Sequence, residues 1–117
     1  GGASRSEVIE VLVSPTVIEN RVLPTSNALS QNFPNPFNPE TTITFDLAHE
    51  SPVTLTIYDV TGQIVRTLIQ GTVMGPGNYQ QIWNGTNRNG MKVSSGVYFY
   101  ELRAGHYNAM KKMSFVQ

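Results

Sequence analysis

The chain has 117 residues, enough for one domain with a single hydrophobic core. Its eight basic and eight acidic residues leave no net charge, so there is no electrostatic case for nucleic acid or an anionic membrane surface. With no cysteine, disulfides, thiolate metal sites and a cysteine nucleophile are excluded.

The first apolar run, "VIEVLV" (residues 8–13), is too short for a signal peptide or a membrane span, and Glu10 interrupts it. It reads as a candidate edge strand. It lies in a linker or N-terminal arm over residues 1–28, rich in Pro, Ser, Thr and Asn. The opening Gly1-Gly2, in place of Met, reads as a piece cut from a larger protein.

"NFPNPFNPETTI" follows at residues 32–43. Each X-Pro step biases Phe33, Asn35 and Asn38 toward extended or polyproline backbone. Pro34, Pro36 and Pro39 have no N–H, so the stretch cannot be a central strand. The expectation is a stiff, extended lead-in whose Phe33 and Phe37 plug one end of the core.

From Thr41 onward, alternation of period two dominates. "TITFDL" sets Ile43, Phe45 and Leu47 on one face. "VTLTIYD" does the same with Val53, Leu55 and Ile57. "DVTGQ" (59–63) is a turn in which Asp59 bonds nearby backbone and Gly62 supplies a positive φ. In "IVRTLIQG" the apolar Ile64, Val65, Leu68 and Ile69 do not alternate cleanly, which predicts a bulge. "GNYQQIW" puts Gln81 on a face with Tyr79 and Trp83, which needs a bonded or rim position for Gln81. A polar loop leads to the aromatic and β-branched "VYFYELR", a turn at Ala104-Gly105, and a last strand from His106 to Val116. Six strands plus "VIEVLV" give an all-β, immunoglobulin-like antiparallel β-sandwich of about seven strands. With no linker after the last strand, the module is expected at the C-terminus of its parent.

The supply of reactive groups is thin, and the expectation is that the domain is no enzyme. His49 and His106 lie beside predicted turns. Asp46 points outward from its strand, and no phosphate loop, H-E-x-x-H or G-x-S-x-G is present. "GTNRNG" (85–90) partly matches a calcium loop at Asn87, Asn89 and Gly90. It lacks the carboxylates at the first and twelfth positions, where Gly85 and Gly96 stand. A hairpin loop with no metal and no other cofactor is the expectation. Trp83, Tyr79, Tyr98 and Tyr100 suit either a sugar-stacking platform or, more commonly, a core. Lys111-Lys112 reads as charge that keeps an edge strand soluble.

Taken in order, "LSQNFPNPFNPETTITFDL", "VTLTIYDVTGQIVRTL", "WNGTNRNGMKVSSGVYFYELRAG" and "KKMSFV" resemble the type A C-terminal sorting domain of the bacterial type IX secretion system. The set is also similar to the Ig-like domain of flagellar hook-capping proteins. The resemblance covers residues 29–117, and residues 1–28 lie outside it. Its pattern includes Pro34, Asn35, Pro36, Phe37, Gly62, Trp83, Gly85, Gly96, Tyr98, Tyr100, Leu102 and Lys112. The chain departs from it at Asn84 and Asn87, where the family commonly has Asp, at Gln81, where an apolar residue is usual, and in lacking a terminal basic residue.

The resemblance implies a non-catalytic secretion signal covalently joined to a larger cargo. Such a cargo is in transit through the periplasm, then at the cell surface or outside. In many members the tag is cleaved and the cargo is joined to a surface lipopolysaccharide. The implied partners are the outer-membrane translocon and its signal-recognition and sortase components. Neither nucleic acid nor insertion of the domain into a membrane is implied. Recognition is expected at the last hairpin, through Gly96, Tyr98, Tyr100, Leu102, Lys111, Lys112, Phe115 and Val116. Two other readings share the fold: a structural spacer or adaptor, and a carbohydrate-binding accessory module of a secreted enzyme.

Overall fold

The computed structural model describes residues 17–18 and 21–117. "VIEVLV" lies outside them. Strands β1 (Val17–Ile18) and β2 (Arg21–Val22) pair as a short antiparallel hairpin. Seven further strands follow: β3 (Ala28–Leu29), β4 (Thr41–Leu47), β5 (Ser51–Tyr58), β6 (Ile64–Met74), β7 (Gly77–Trp83), β8 (Gly96–Ala104) and β9 (Tyr107–Phe115). They form two antiparallel sheets, ordered β3-β4-β7 and β9-β8-β5-β6. The fold is the expected all-β sandwich. The seventh strand is β3, which pairs Leu29 with Phe45.

Alternation explains the packing. β4 buries Thr41, Ile43, Phe45 and Leu47, and β5 buries Val53, Leu55 and Ile57. β8 adds Tyr98, Tyr100, Leu102 and Ala104. Each large apolar side chain moved out of water in this way contributes about 1.5–3 kcal/mol. Gln81 takes a half-buried position between exposed Gln80 and Ile82, while Trp83 is buried.

The irregular spacing in β6 has a direct cause. Thr56 pairs with Thr67 and Leu55 with Ile69, which leaves Leu68 as an extra residue. Tyr58 pairs with Ile64 and Ile57 with Arg66, which leaves Val65 as another. A third slip falls between Thr72 and Ile69, beside Gly71 at φ +64°. There the Gly71 N–H donates to Thr54 Oγ1 at 3.0 Å. Each bulge reverses the facing of the residues beyond it.

The proline segment departs from the expectation twice. It bends at residues 34–36 and 38–39 instead of running extended. The bends follow from its two anchors: Phe33 pairs with Thr42 on one sheet, and Phe37 with Phe115 on the other. Phe33 is also not a core plug. It is 79% exposed, whereas Phe37 is 1% exposed. Asn32 takes the inward position instead, its amide donating to Thr41 Oγ1 at 3.0 Å and to the Pro34 carbonyl at 3.2 Å. Its neighbour Phe33 must then face outward.

Candidate functional site

The last hairpin, β8 and β9, ends the four-stranded sheet, with β9 as its edge. Its turn is Gly105-His106, one residue later than expected, with Ala104 paired to Tyr107. The buried apolar side chains on the inward face are Tyr98, Tyr100, Leu102 and Ala104 from β8, and Met113 and Phe115 from β9. The outward ones include Val97, Phe99 and Arg103 on β8, and Asn108, Met110 and Lys112 on β9.

The expected recognition residues therefore divide. Tyr98, Tyr100, Leu102 and Phe115 are core. Gly96, Lys112 and Val116 are exposed, and Lys111 is half-buried at the rim. The buried set holds the hairpin in place. Tyr100 Oη accepts from the Asn32 N–H and donates to the Ser30 carbonyl, both at 2.7 Å. Burial pushes the Tyr100 hydroxyl up to about 12, so it stays protonated. Tyr98 Oη donates to the Ser94 carbonyl at 2.7 Å.

The family-marker residues converge on this same strand. The Phe37 N–H donates to the Ser114 carbonyl at 3.0 Å, and the Val116 N–H to the Phe37 carbonyl at 3.1 Å. Asn35 Oδ1 accepts from the Ser114 N–H at 2.9 Å. Gln31 Nε2 donates to the Lys112 carbonyl at 2.8 Å. Phe37 stacks on Phe115 at 4.9 Å between centroids and tilts against Trp83 at 5.5 Å. Trp83 meets Tyr98 edge-on at 5.4 Å, and its Nε1 donates to the Thr86 carbonyl at 2.8 Å. Gly85 permits this closeness, since a Cβ there would stand 2.8 Å from Phe115 Cζ. Lys92 Nζ lies 5.8 Å over the Phe115 ring. Gln117 continues the clasp, its N–H donating to Ser95 Oγ at 2.9 Å and its side-chain amide to the Val93 carbonyl.

These positions correct the sugar-platform reading. Trp83, Tyr98 and Tyr100 form core, because their strand parity is the core parity. The loop over residues 84–92 is a turn device. Asn87 Oδ1 accepts from the Asn89 N–H at 2.9 Å and the Met91 N–H at 3.1 Å. Asp59 is likewise committed to its turn, accepting from the Thr61 hydroxyl and the Gln63 N–H; those bonds lower its pKa. Gly62 has φ +87°, as that turn requires. Among the described residues, no three histidine or carboxylate side chains gather as a metal site.

The hairpin's outer face holds what sequence reasoning missed. Tyr58, Val60, Phe99 and Met110 line a shallow apolar groove of about 360 Å³. Beside it Glu101 is nearly buried, although it shares the outward parity. Tyr58 Oη donates to Glu101 Oε1 at 3.0 Å, Asn108 Nδ2 to Oε2 at 2.8 Å, and Arg103 pairs with Oε2 at 3.4 Å. Burial alone raises the Glu101 pKa; the bonds from Asn108 and Tyr58 and the Arg103 charge outweigh it, and the net shift is downward. Strand alternation is the signal that could have placed Tyr58, Phe99, Glu101 and Met110 on one outward face, but their chemistry resembles an ordinary solvated face.

Residues 30–107 match the FlgD Ig-like domain family. The chain belongs to that family. No curated protein matches the chain. Among solved structures, this Ig-like domain is similar to dimeric latent PorU from Porphyromonas gingivalis, with a TM-score of 0.62 and 22% identity over 78% of the chain. It is similar to PorZ, a bacterial surface component of the type-IX secretion system of P. gingivalis, with a TM-score of 0.54 and 19% identity over 77%. FlgD from P. aeruginosa gives a TM-score of 0.52 and 17% identity over 79% of this chain and 67% of that one. The chain spans only 9% of the PorU chain and 12% of the PorZ chain. At these identities the likeness is one of fold.

Proposed function

We propose that this domain is a non-catalytic C-terminal sorting domain. It directs a larger cargo protein across the bacterial outer membrane through the type IX secretion system. The observation that carries this reading is the clasp of Asn35–Phe37 on Ser114–Val116. It joins the segment that most marks the sorting-domain resemblance to the hairpin expected to bear the address. A folded address must keep one shape while a translocon reads it, and a doubly held edge strand suits that task. The fold likeness to PorZ, a surface component of the same system, is a second support.

In this reading the partners are the outer-membrane translocon and its recognition and sortase components. The cargo passes through the periplasm to the cell surface or beyond. The domain neither binds nucleic acid nor enters the membrane, in keeping with its zero net charge. Recognition uses the accessible side of the last hairpin, with Gly96, Lys111, Lys112 and Val116 among the contacts. Tyr98, Tyr100, Leu102 and Phe115 act by holding it in shape.

The match to the FlgD Ig-like family favours a second reading, a structural spacer or adaptor. A periplasmic reporter fused ahead of residues 1–117, in a host carrying the type IX system, separates the two. Export to the medium or cell surface is the expected result. Retention in the periplasm, while an established tag exports the same reporter, leaves the spacer reading.

A further inference from the structure

The edge of β9 is occupied along only part of its length. The lead-in covers Lys112 to Val116 through Gln31, Asn35 and Phe37. All the groups it engages on β9 belong to Lys112 and Ser114. In a strand, alternate residues turn both backbone groups to the same edge. The N–H and C=O of Asn108 and Met110, and the N–H of Lys112, therefore point to that same outer edge. Among the described residues, none bonds to them.

This unbonded half lies beside the apolar groove, with β3 close by. Met110 is 53% exposed at its rim, with Phe99 and Val60 next to it. Lys112 stands in the cross-strand row that continues through Phe99 to Tyr58. Lys111 follows on the other side of the strand. Unpaired strand groups, an apolar strip and two ammonium groups occur together.

We propose that an extended segment of a partner protein adds to β9 as a further strand along Asn108–Lys112. Its residues on the outer face are apolar, covering Met110 and Phe99, and those on the other face carry carboxylates beside Lys111. Backbone pairing supplies the attachment, and the groove and the lysines supply the choice of partner. The lead-in sets the limit: Gln31 takes the Lys112 carbonyl and Asn35 and Phe37 take Ser114, so the incoming strand stops at the Lys112 N–H. The lysines also disfavour the simplest competitor, pairing of two such edges, which would bring four ammonium groups together. This deepens the export reading and rests on it for the identity of the partner as a translocon component. The strand addition itself is testable without export.

The test uses residues 1–117 and a short peptide of alternating valine and glutamate. Amide exchange at Asn108 and Met110, followed by NMR, is expected to slow roughly tenfold or more when the peptide is added. A valine–lysine peptide should give much less, and Lys111→Glu should weaken the response to the glutamate peptide. Unchanged exchange overturns the proposal. So does protection already present before the peptide is added. If that protection is independent of protein concentration, the chain's own residues 1–16 hold the edge; if it grows with concentration and a dimer mass, a second copy does.

Met110→Pro then connects edge to export. Its N–H faces outward, so the β8 ladder is kept and the edge is blocked. A reporter carrying folded Met110→Pro should remain in the periplasm while the wild-type tag exports. Equal export of both overturns strand addition as the recognition step and leaves the sorting-domain reading standing. If Met110→Pro does not fold, Lys111→Glu takes its place in the same assay. If the wild-type tag is itself retained, the sorting-domain reading fails, and peptide protection alone decides for or against the edge.

Discussion

Phe37 and Phe115 stack at 4.9 Å, and their backbones form a parallel bridge. The first belongs to a segment that precedes the sandwich strand β4, the second to the last strand of the other sheet. One ring pair thus joins lead-in, sheet edge and core end. Offset aromatic pairs of this kind contribute about 0.5–1.5 kcal/mol beyond their buried area.

Phe37→Ala should cost about 3–5 kcal/mol in urea unfolding, since a fully buried ring leaves a cavity between Trp83 and Phe115. Phe33→Ala is the control. With 79% of Phe33 exposed, the change should stay within about 0.5 kcal/mol. Equal losses for the two would contradict the placement of both.

Gly85→Ala and Gly90→Ala test the closeness of the clasp. Both glycines have positive φ, +74° and +81°, so both variants carry backbone strain of about 1–2 kcal/mol. Only at Gly85 does the new Cβ also meet Phe115, at 2.8 Å, whereas nothing lies within 4 Å at Gly90. Overpacking adds about 1–3 kcal/mol. Gly85→Ala should therefore unfold at lower denaturant than Gly90→Ala, and similar midpoints would show that the ring moves aside at little cost.

The strands from Thr41 onward were legible because period two is enforced wherever one face is buried, and Ile43, Phe45 and Leu47 declare that face plainly. The irregularity of Ile64, Val65, Leu68 and Ile69 correctly implied a bulge, though not that there are three. Phe33 misled because hydrophobicity says nothing of direction; the inward place was decided by Asn32, whose amide finds Thr41 and Pro34 inside. β3 was invisible, since two residues carry no period. The clasp on β9 was also hidden. It depends on backbone groups of Phe37 and Ser114, which every sequence has. At the candidate site, the family resemblance drew the reading to Tyr98 and Tyr100. Chain parity gives the accessible places to Phe99, Met110 and Lys112 instead.

Tyr100→Phe removes one hydroxyl from a buried position and strands two partners. The Asn32 N–H loses its acceptor and the Ser30 carbonyl its donor. A buried polar group left unpaired costs about 1–3 kcal/mol, more than the net value of an ordinary hydrogen bond. The loss should appear in the unfolding midpoint. Exchange at the Asn32 amide should also quicken more than at Phe45, whose ladder the change does not touch. Uniform quickening at both would mean that the hydroxyl serves global stability rather than the joint between lead-in and β8.

Glu101 gives the domain an acid-sensitive point on its outward face. Its folded pKa lies below the ordinary 4.5 of a glutamate, since the bonds from Asn108 and Tyr58 and the Arg103 charge outweigh its burial. A carboxylate depressed in this way stabilises the fold above its unfolded pKa, and that contribution is lost as pH falls through the folded value. Melting temperature should thus be level from about pH 7 to about pH 5 and fall below about pH 4.5. Asp59 is also depressed, so the melting curve alone does not separate them. Glu101→Gln does: it should flatten part of the acid limb while leaving the Asp59 part. A carboxyl NMR titration of the wild type should place the Glu101 midpoint below 4.5. A midpoint above that value would mean that burial wins over Asn108, Tyr58 and Arg103, and the acid limb would then belong to Asp59.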